Sequence, residues 1–133
     1  MLFRAELPVG CPKDLGSKKR DFASIYRLVQ KEEFDGADFL SPGEEKPERL
    51  ENPNADICGL LGVSMGTLDY CYKQKKIYKK KFGNSYIAVG QVLASQALSV
   101  CDNNNYYHVD FYPFYNTTLE RGFKIYTEAQ QEA

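Results

Sequence analysis

The chain is poor in residues that hold metals. It has one histidine, His108, and four cysteines, Cys11, Cys58, Cys71 and Cys101, none of them paired as C-x-x-C. That spacing argues against a zinc knuckle and leads to the expectation of four reduced thiols acting as small buried hydrophobes, with Cys11, between Gly10 and Pro12, the most open. The acidic run Glu44 to Glu51 lacks the D-x-D-x-D-G spacing of a calcium loop. No metal and no cofactor is therefore expected. The sequence also lacks any apolar window of the roughly 18 residues that a membrane-spanning helix needs. Met1 to Glu6 carries charges at positions 4 and 6 before Pro8, which is unlike a signal peptide. The expected location is the cytoplasm, with no membrane partner and no weight on the acceptor tripeptide Asn116-Thr117-Thr118. Net charge is -1, which gives the molecule as a whole no reason to bind nucleic acid. There is neither internal repeat nor low-complexity tract.

What remains is enough to fill a core. Apolar residues make up 43% of the 133 positions and aromatics 14%, so residues 1–133 are expected to form a single ordered domain. Charge is uneven: residues 1–31 carry +4, 32–56 carry -7 and 57–133 carry +2. The acidic block also holds Pro42, Pro47 and Pro53 with turn signals. It is expected to be a long surface loop, pinned by Phe34, Phe39 and Leu40, that serves as a lid or docking arm.

Spacing of apolar residues gives the elements. Phe22, Ile25, Tyr26 and Val29 lie at helical intervals, and with Ser17 as N-cap they predict a helix over 18–31 whose exposed face carries Arg20, Arg27 and Lys31. Ile57 to Met65 reads as a buried strand. Thr67 then caps a second helix to about Phe82, with Leu68, Cys71, Tyr78 and Phe82 facing inward and Gly83-Asn84 ending it. Tyr86 to Leu93 reads as a central strand covered on both faces. Residues 94–101 fit helix or strand equally, and Asp102 to Asn105 form a turn. Tyr106 to Tyr112, Phe123 to Glu128 and Phe3 to Leu7 alternate as strands. This order predicts an α+β fold, a mainly antiparallel sheet of about five strands with two helices packed on it and the acidic loop at 32–56. Gly59 and Gly62 complete no G-x-G-x-x-G loop, and Ser64 in Gly62-Val63-Ser64-Met65-Gly66 is out of place for a nucleophile elbow.

The segment from Tyr106 to Tyr115 holds six of the eighteen aromatics. Period two places Tyr106, His108, Asp110 and Tyr112 on one face, where His108 is a candidate general base or acid and Asp110 the group that orients it. Convergence of Arg4, Lys124, Tyr126 and Glu128 on that face would complete a pocket for a small phosphate-bearing ligand. The ordinary role of such a face is a wet sheet surface or a contact for another protein. Six lysines between Lys73 and Lys81 concentrate positive charge, but they cannot share one side of a helix and the acidic block offers counter-charge, so nucleic acid is not expected as a partner.

Leu2-Phe3-Arg4-Ala5, Asp38-Phe39-Leu40-Ser41 and the late aromatic strand with His108 resemble pieces of small bacterial ADP-ribosyltransferase-like domains. The resemblance implies Arg4 as a ligand contact; no Glu-x-Glu pair or Ser-Thr-Ser strand accompanies it. Taken alone, Arg4 would pair with Glu6 or Asp110. The leading expectation is an interaction module whose tyrosine-rich face and acidic loop engage another protein or a second copy of the chain. The second is a nucleotide-like binder or enzyme around Arg4, His108 and Asp110.

Overall fold

A computed structural model describes residues 2–12, 17–101 and 106–128; the expected turn at Asp102–Asn105 lies outside them. One sheet contains β1 (Ser17–Lys18), β2 (Phe22–Val29), β3 (Val63–Gly66), β4 (Tyr86–Val92), β5 (Ala97–Val100), β6 (His108–Pro113) and β7 (Phe123–Ile125). Their order is β1-β5-β6-β3-β2-β4-β7, and every neighbouring pair is antiparallel. Helices α1 (Pro42–Glu45), α2 (Ile57–Leu60), α3 (Leu68–Ile77) and α4 (Lys79–Phe82) complete the α+β fold. The sheet thus has seven strands where about five were expected. The ambiguous 94–101 stretch supplies β5, while Phe3 to Leu7 contributes only a single bridge, from Phe3 to Phe114.

The expected helix over 18–31 is instead strand β2, and a bulge explains the misreading. Phe22 pairs with Val92 and Ile25 with Gly90, so three steps along β2 match two along β4. The extra residue turns Phe22 and Ile25 to the same side. Ile25 and Val29 then follow at even spacing, and all three are buried. Inward positions at 22, 25 and 29 imitate a helical stripe although the backbone is extended. Arg27 consequently lies in the interior rather than on an exposed face.

Alternation elsewhere behaves as the pleat requires. Val63 and Met65 of β3 and Val109 and Phe111 of β6 are fully buried, and they pack with Phe22, Ile25, Val29, Ala88, Val92 and Phe123 into one core. Strand β3 occupies the centre of the sheet; β4, expected there, lies second from the edge. The buried strand read over Ile57 to Met65 begins only at Val63, after α2, which Asp56 caps by accepting from Gly59 N–H.

The acidic segment contains no long element but is not loose chain. It runs through a 3-10 turn at Gly36–Phe39, α1, and a second 3-10 turn at Pro47–Glu51. Ser41 and Glu44 bond reciprocally across the first turn of α1 in a capping box, with Pro42 at the position where a missing N–H costs nothing. Phe39 is fully buried against Phe123 and Phe34, so two of the expected anchors hold the segment to the body.

Cys11 and Cys58 form a disulfide across 47 positions of sequence. The expectation of four reduced thiols fails at this pair, because folding brings together residues whose separation gave no hint of contact. Cys71 does behave as a buried hydrophobe, and burial pushes its thiol up to about 12.

Candidate functional site

Strands β2 and β3 pair at one rung only, Tyr26 with Gly66. Beyond it the Arg27 side chain reaches across the gap. Its Nε donates to the Asp38 carbonyl at 2.8 Å, one terminal nitrogen to the Ser64 carbonyl at 2.6 Å and the other to the Leu40 carbonyl at 3.3 Å. A guanidinium has five N–H groups, and three of them are used in these bonds. Burial lowers the Arg27 pKa to about 10, opposed by the charge of Asp38; the group is still a cation at neutral pH.

Asp38 is itself buried, with its side chain 4% exposed. Its Oδ1 accepts from the Gln30 N–H, whereas its Oδ2 has no hydrogen-bond donor and lies 3.9 Å from Lys31 Nζ. A buried carboxylate oxygen without a donor is costly.

Ser64 lies opposite Asp110 in the ladder between β3 and β6. Its hydroxyl donates to Asp110 Oδ1 at 3.0 Å and lies 3.1 Å from His108 Nε2, which is also 3.3 Å from Asp110 Oδ1. One histidine nitrogen therefore faces both partners. A serine nucleophile relay needs the two ring nitrogens to serve serine and aspartate separately, so this cluster orients the Ser64 hydroxyl without forming a relay. Above it the Tyr70 ring from α3 stacks on His108 at 4.9 Å. Gly66 makes that possible: a Cβ there would lie 2.8 Å from Tyr70 ring atoms and 2.1 Å from the Tyr107 carbonyl. Burial, helped by the charges of Cys71 and Asp110, raises the Tyr70 phenol to about 12. It is a neutral donor at pH 7.

Part of this arrangement borders a cavity of about 770 Å³ between α3–α4 and the segment from Ala37 to Arg49, whose lining does not include His108 or Asp110. Arg27, Ser64, Tyr70 and Asp38 all line it. So do four further cations, Lys31, Lys46, Arg49 and Lys81, against a single further carboxylate, Glu45. Tyr78 and Phe82 supply rings to the wall. Tyr78, expected in the core, is 52% exposed there. The helix breaks at that residue, between α3 and α4.

The residues singled out in the sequence are placed as follows. His108, Asp110 and Tyr112 share β6; His108 and Asp110 meet at Ser64, and Tyr112 is buried, its hydroxyl donating to the Cys58 carbonyl at 2.8 Å. Tyr106 does not join them: its φ is +55°, and its ring packs edge-on to Phe22 and bonds to Arg20. Arg4 pairs with Glu44 through two bonds of 2.9 and 2.7 Å and with the Phe39 carbonyl at 2.9 Å, in place of Glu6 or Asp110. Lys124 lies on the edge strand β7 and Tyr126 just beyond it, packed on Tyr26, with β3, β2 and β4 separating them from β6. The pocket expected from convergence of the first, sixth and last strands is thus not assembled. Arg27, Asp38, Ser64 and Tyr70 were missed. The only signal for them was a charged side chain in β2, at Arg27, and a polar one in the short apolar strand β3, at Ser64.

Among the described residues no helix is long and apolar enough to cross a membrane, and no group of three or more His, Cys, Asp or Glu side chains is arranged to hold a metal ion. No family model, curated protein or solved structure matches the chain.

Proposed function

We propose that the chain binds a small phosphate-bearing, nucleotide-like molecule in the cavity between α3–α4 and the Ala37 to Arg49 segment. One observation carries the reading: five cationic side chains face two carboxylates around a walled space of about 770 Å³. The exposed Lys46, Arg49 and Lys81 in the lining suit an anion, because charge-assisted hydrogen bonds in a sheltered site are the strong ones. Tyr78 and Phe82 offer faces for a ring. The tyrosine-rich surface required by the protein-docking alternative has less support, since Tyr112 is buried and Tyr106 is occupied by Phe22 and Arg20.

Thermal-shift titration with adenosine mono-, di- and triphosphate and with inorganic phosphate tests the proposal. A ligand at a hundred times its dissociation constant adds about 2.7 kcal/mol to stability, which should appear as a concentration-dependent rise in Tm. Arg49→Ala with Lys81→Ala, both on exposed side chains, should weaken the shift roughly tenfold in ligand concentration. No shift with any of these compounds would overturn the reading.

A further inference from the structure

We infer that the ligand of this cavity is the end of a single-stranded polynucleotide, with the lysines of α3–α4 carrying its backbone beyond the opening. The inference rests on the nucleotide reading above and extends it to a ligand class.

Composition argued against such a partner, and the structure alters part of that argument. The acidic segment was expected to neutralise the lysines. Of its nine carboxylates, Asp35 bonds to Lys31, Glu44 to Arg4 and Ser41, and Asp56 accepts from the Gly59 N–H, while Glu45 lines the cavity itself. Among the described residues no carboxylate forms an ion pair with Lys73, Lys76, Lys79, Lys80 or Lys81, and all five are exposed. Tyr78 was expected in the core but stands exposed in the cavity wall. Finally, the six lysines belong to a helix that is interrupted, which divides them between two settings. Its break at Tyr78 sets Lys81 and Phe82 in the cavity lining beside Gln74 and Tyr78, while Lys73, Lys76 and Lys80 stay outside the lining.

The result is a set of exposed lysines without ion-pair partners beside a cavity lined by more cations than carboxylates, with the half-exposed Tyr78 and the partly buried Phe82 in its wall. Lys81 Nζ lies 5.0 Å from the Phe82 ring centre. Proteins that hold single strands combine a basic track for phosphates with aromatic faces on which bases stack. An acidic peptide would use the charges but leave the rings without partners. A duplex would hide its base faces from Tyr78 and Phe82.

Fluorescence anisotropy with a short, labelled, mixed-sequence single-stranded RNA and its DNA counterpart tests this, alongside competition by adenosine monophosphate. The oligonucleotide should bind at least about tenfold more tightly than the mononucleotide, with affinity falling steeply as salt rises. Replacing Lys73, Lys76 and Lys80 by Glu, or by Gln as a milder control, should reduce the logarithmic salt slope by about 2, from roughly 0.7 per lost phosphate contact. Binding of adenosine monophosphate should be unchanged in both variants. Equal affinity for mononucleotide and oligonucleotide, or displacement by polyglutamate as effective as by unlabelled RNA, would overturn the inference and leave the nucleotide reading intact. Failure of every nucleotide and oligonucleotide to bind would remove both.

Discussion

The two walls of the cavity are held in different ways. The acidic wall, from Ala37 to Arg49, is tied to the body by specific polar links, Arg27 to the carbonyls of residues 38 and 40 and Arg4 to Glu44 and Phe39, and is braced internally by the caps at Asp35 and Ser41. The lysine wall, α3–α4, is held mainly by apolar contact through Cys71, with Thr67 capping its start and Lys75 bonded to the Ser85 carbonyl at 2.7 Å. Hydrogen-bonded links fix position but fail together when a shared partner is lost, whereas a packed helix loses stability in small steps. The acidic wall should therefore be the brittle one.

Arg27 is the sharpest place to break it. Arg27→Met keeps much of the volume but strands the Asp38 carboxylate and leaves three carbonyls without their donor. Removing one member of a buried charged network costs about 3–5 kcal/mol, and urea unfolding should show a loss of that order. Arg27→Lys keeps the charge without the fork and should recover only part of it. A loss below about 1 kcal/mol would mean that the acidic wall is held by Phe39 packing alone.

Arg4 offers a milder break with a pH signature. Burial works to raise the Glu44 carboxyl, but hydrogen bonds from Arg4 and Ser41 outweigh it and hold the pKa below the ordinary value of 4.5. The folded pKa is thus lower than the unfolded one, so the pair stabilises the protein above the ordinary value. That contribution is lost as pH falls through the depressed folded pKa. Arg4→Met should cost about 1–2 kcal/mol at neutral pH and should flatten this part of the acid limb. An acid limb identical in both proteins would show that Glu44 is not held by Arg4.

How far the sequence revealed this molecule follows from what local pattern can encode. Period two exposed β6 and β7, and Thr67 marked the start of α3, because both signals lie within a few residues of the structure they report. The capping box at Ser41 and Glu44 was equally local and passed unread inside a block taken for loop. The bulge in β2 misled because its inserted residue converts an extended pattern into apparent helical spacing. The Cys11–Cys58 bond, the bridging of Arg27 to Ser64 and the meeting of Ser64 with His108 depend on strand order, which no short window contains. The candidate site was not legible for that reason: His108 and Asp110, which share a strand, lie outside the cavity lining, whereas Arg27, Asp38, Ser64 and Tyr70 come together from β2, β3, α3 and the acidic segment.

The smallest effect on stability is expected from Tyr78→Ala, on the lysine wall. The side chain is 52% exposed and packs edge-on to Phe82 at 6.4 Å, so its loss should change unfolding free energy by about 0.5 kcal/mol or less. Its effect on binding should be larger, because removing one stacking ring costs roughly 1–3 kcal/mol in single-strand complexes. A variant that unfolds like the parent but binds oligonucleotide about tenfold more weakly would separate the two walls by role, one fixing the shape of the cavity and the other reading its ligand. If stability falls with affinity, Tyr78 instead supports the junction of α3 and α4, and Phe82 is the ring to test next.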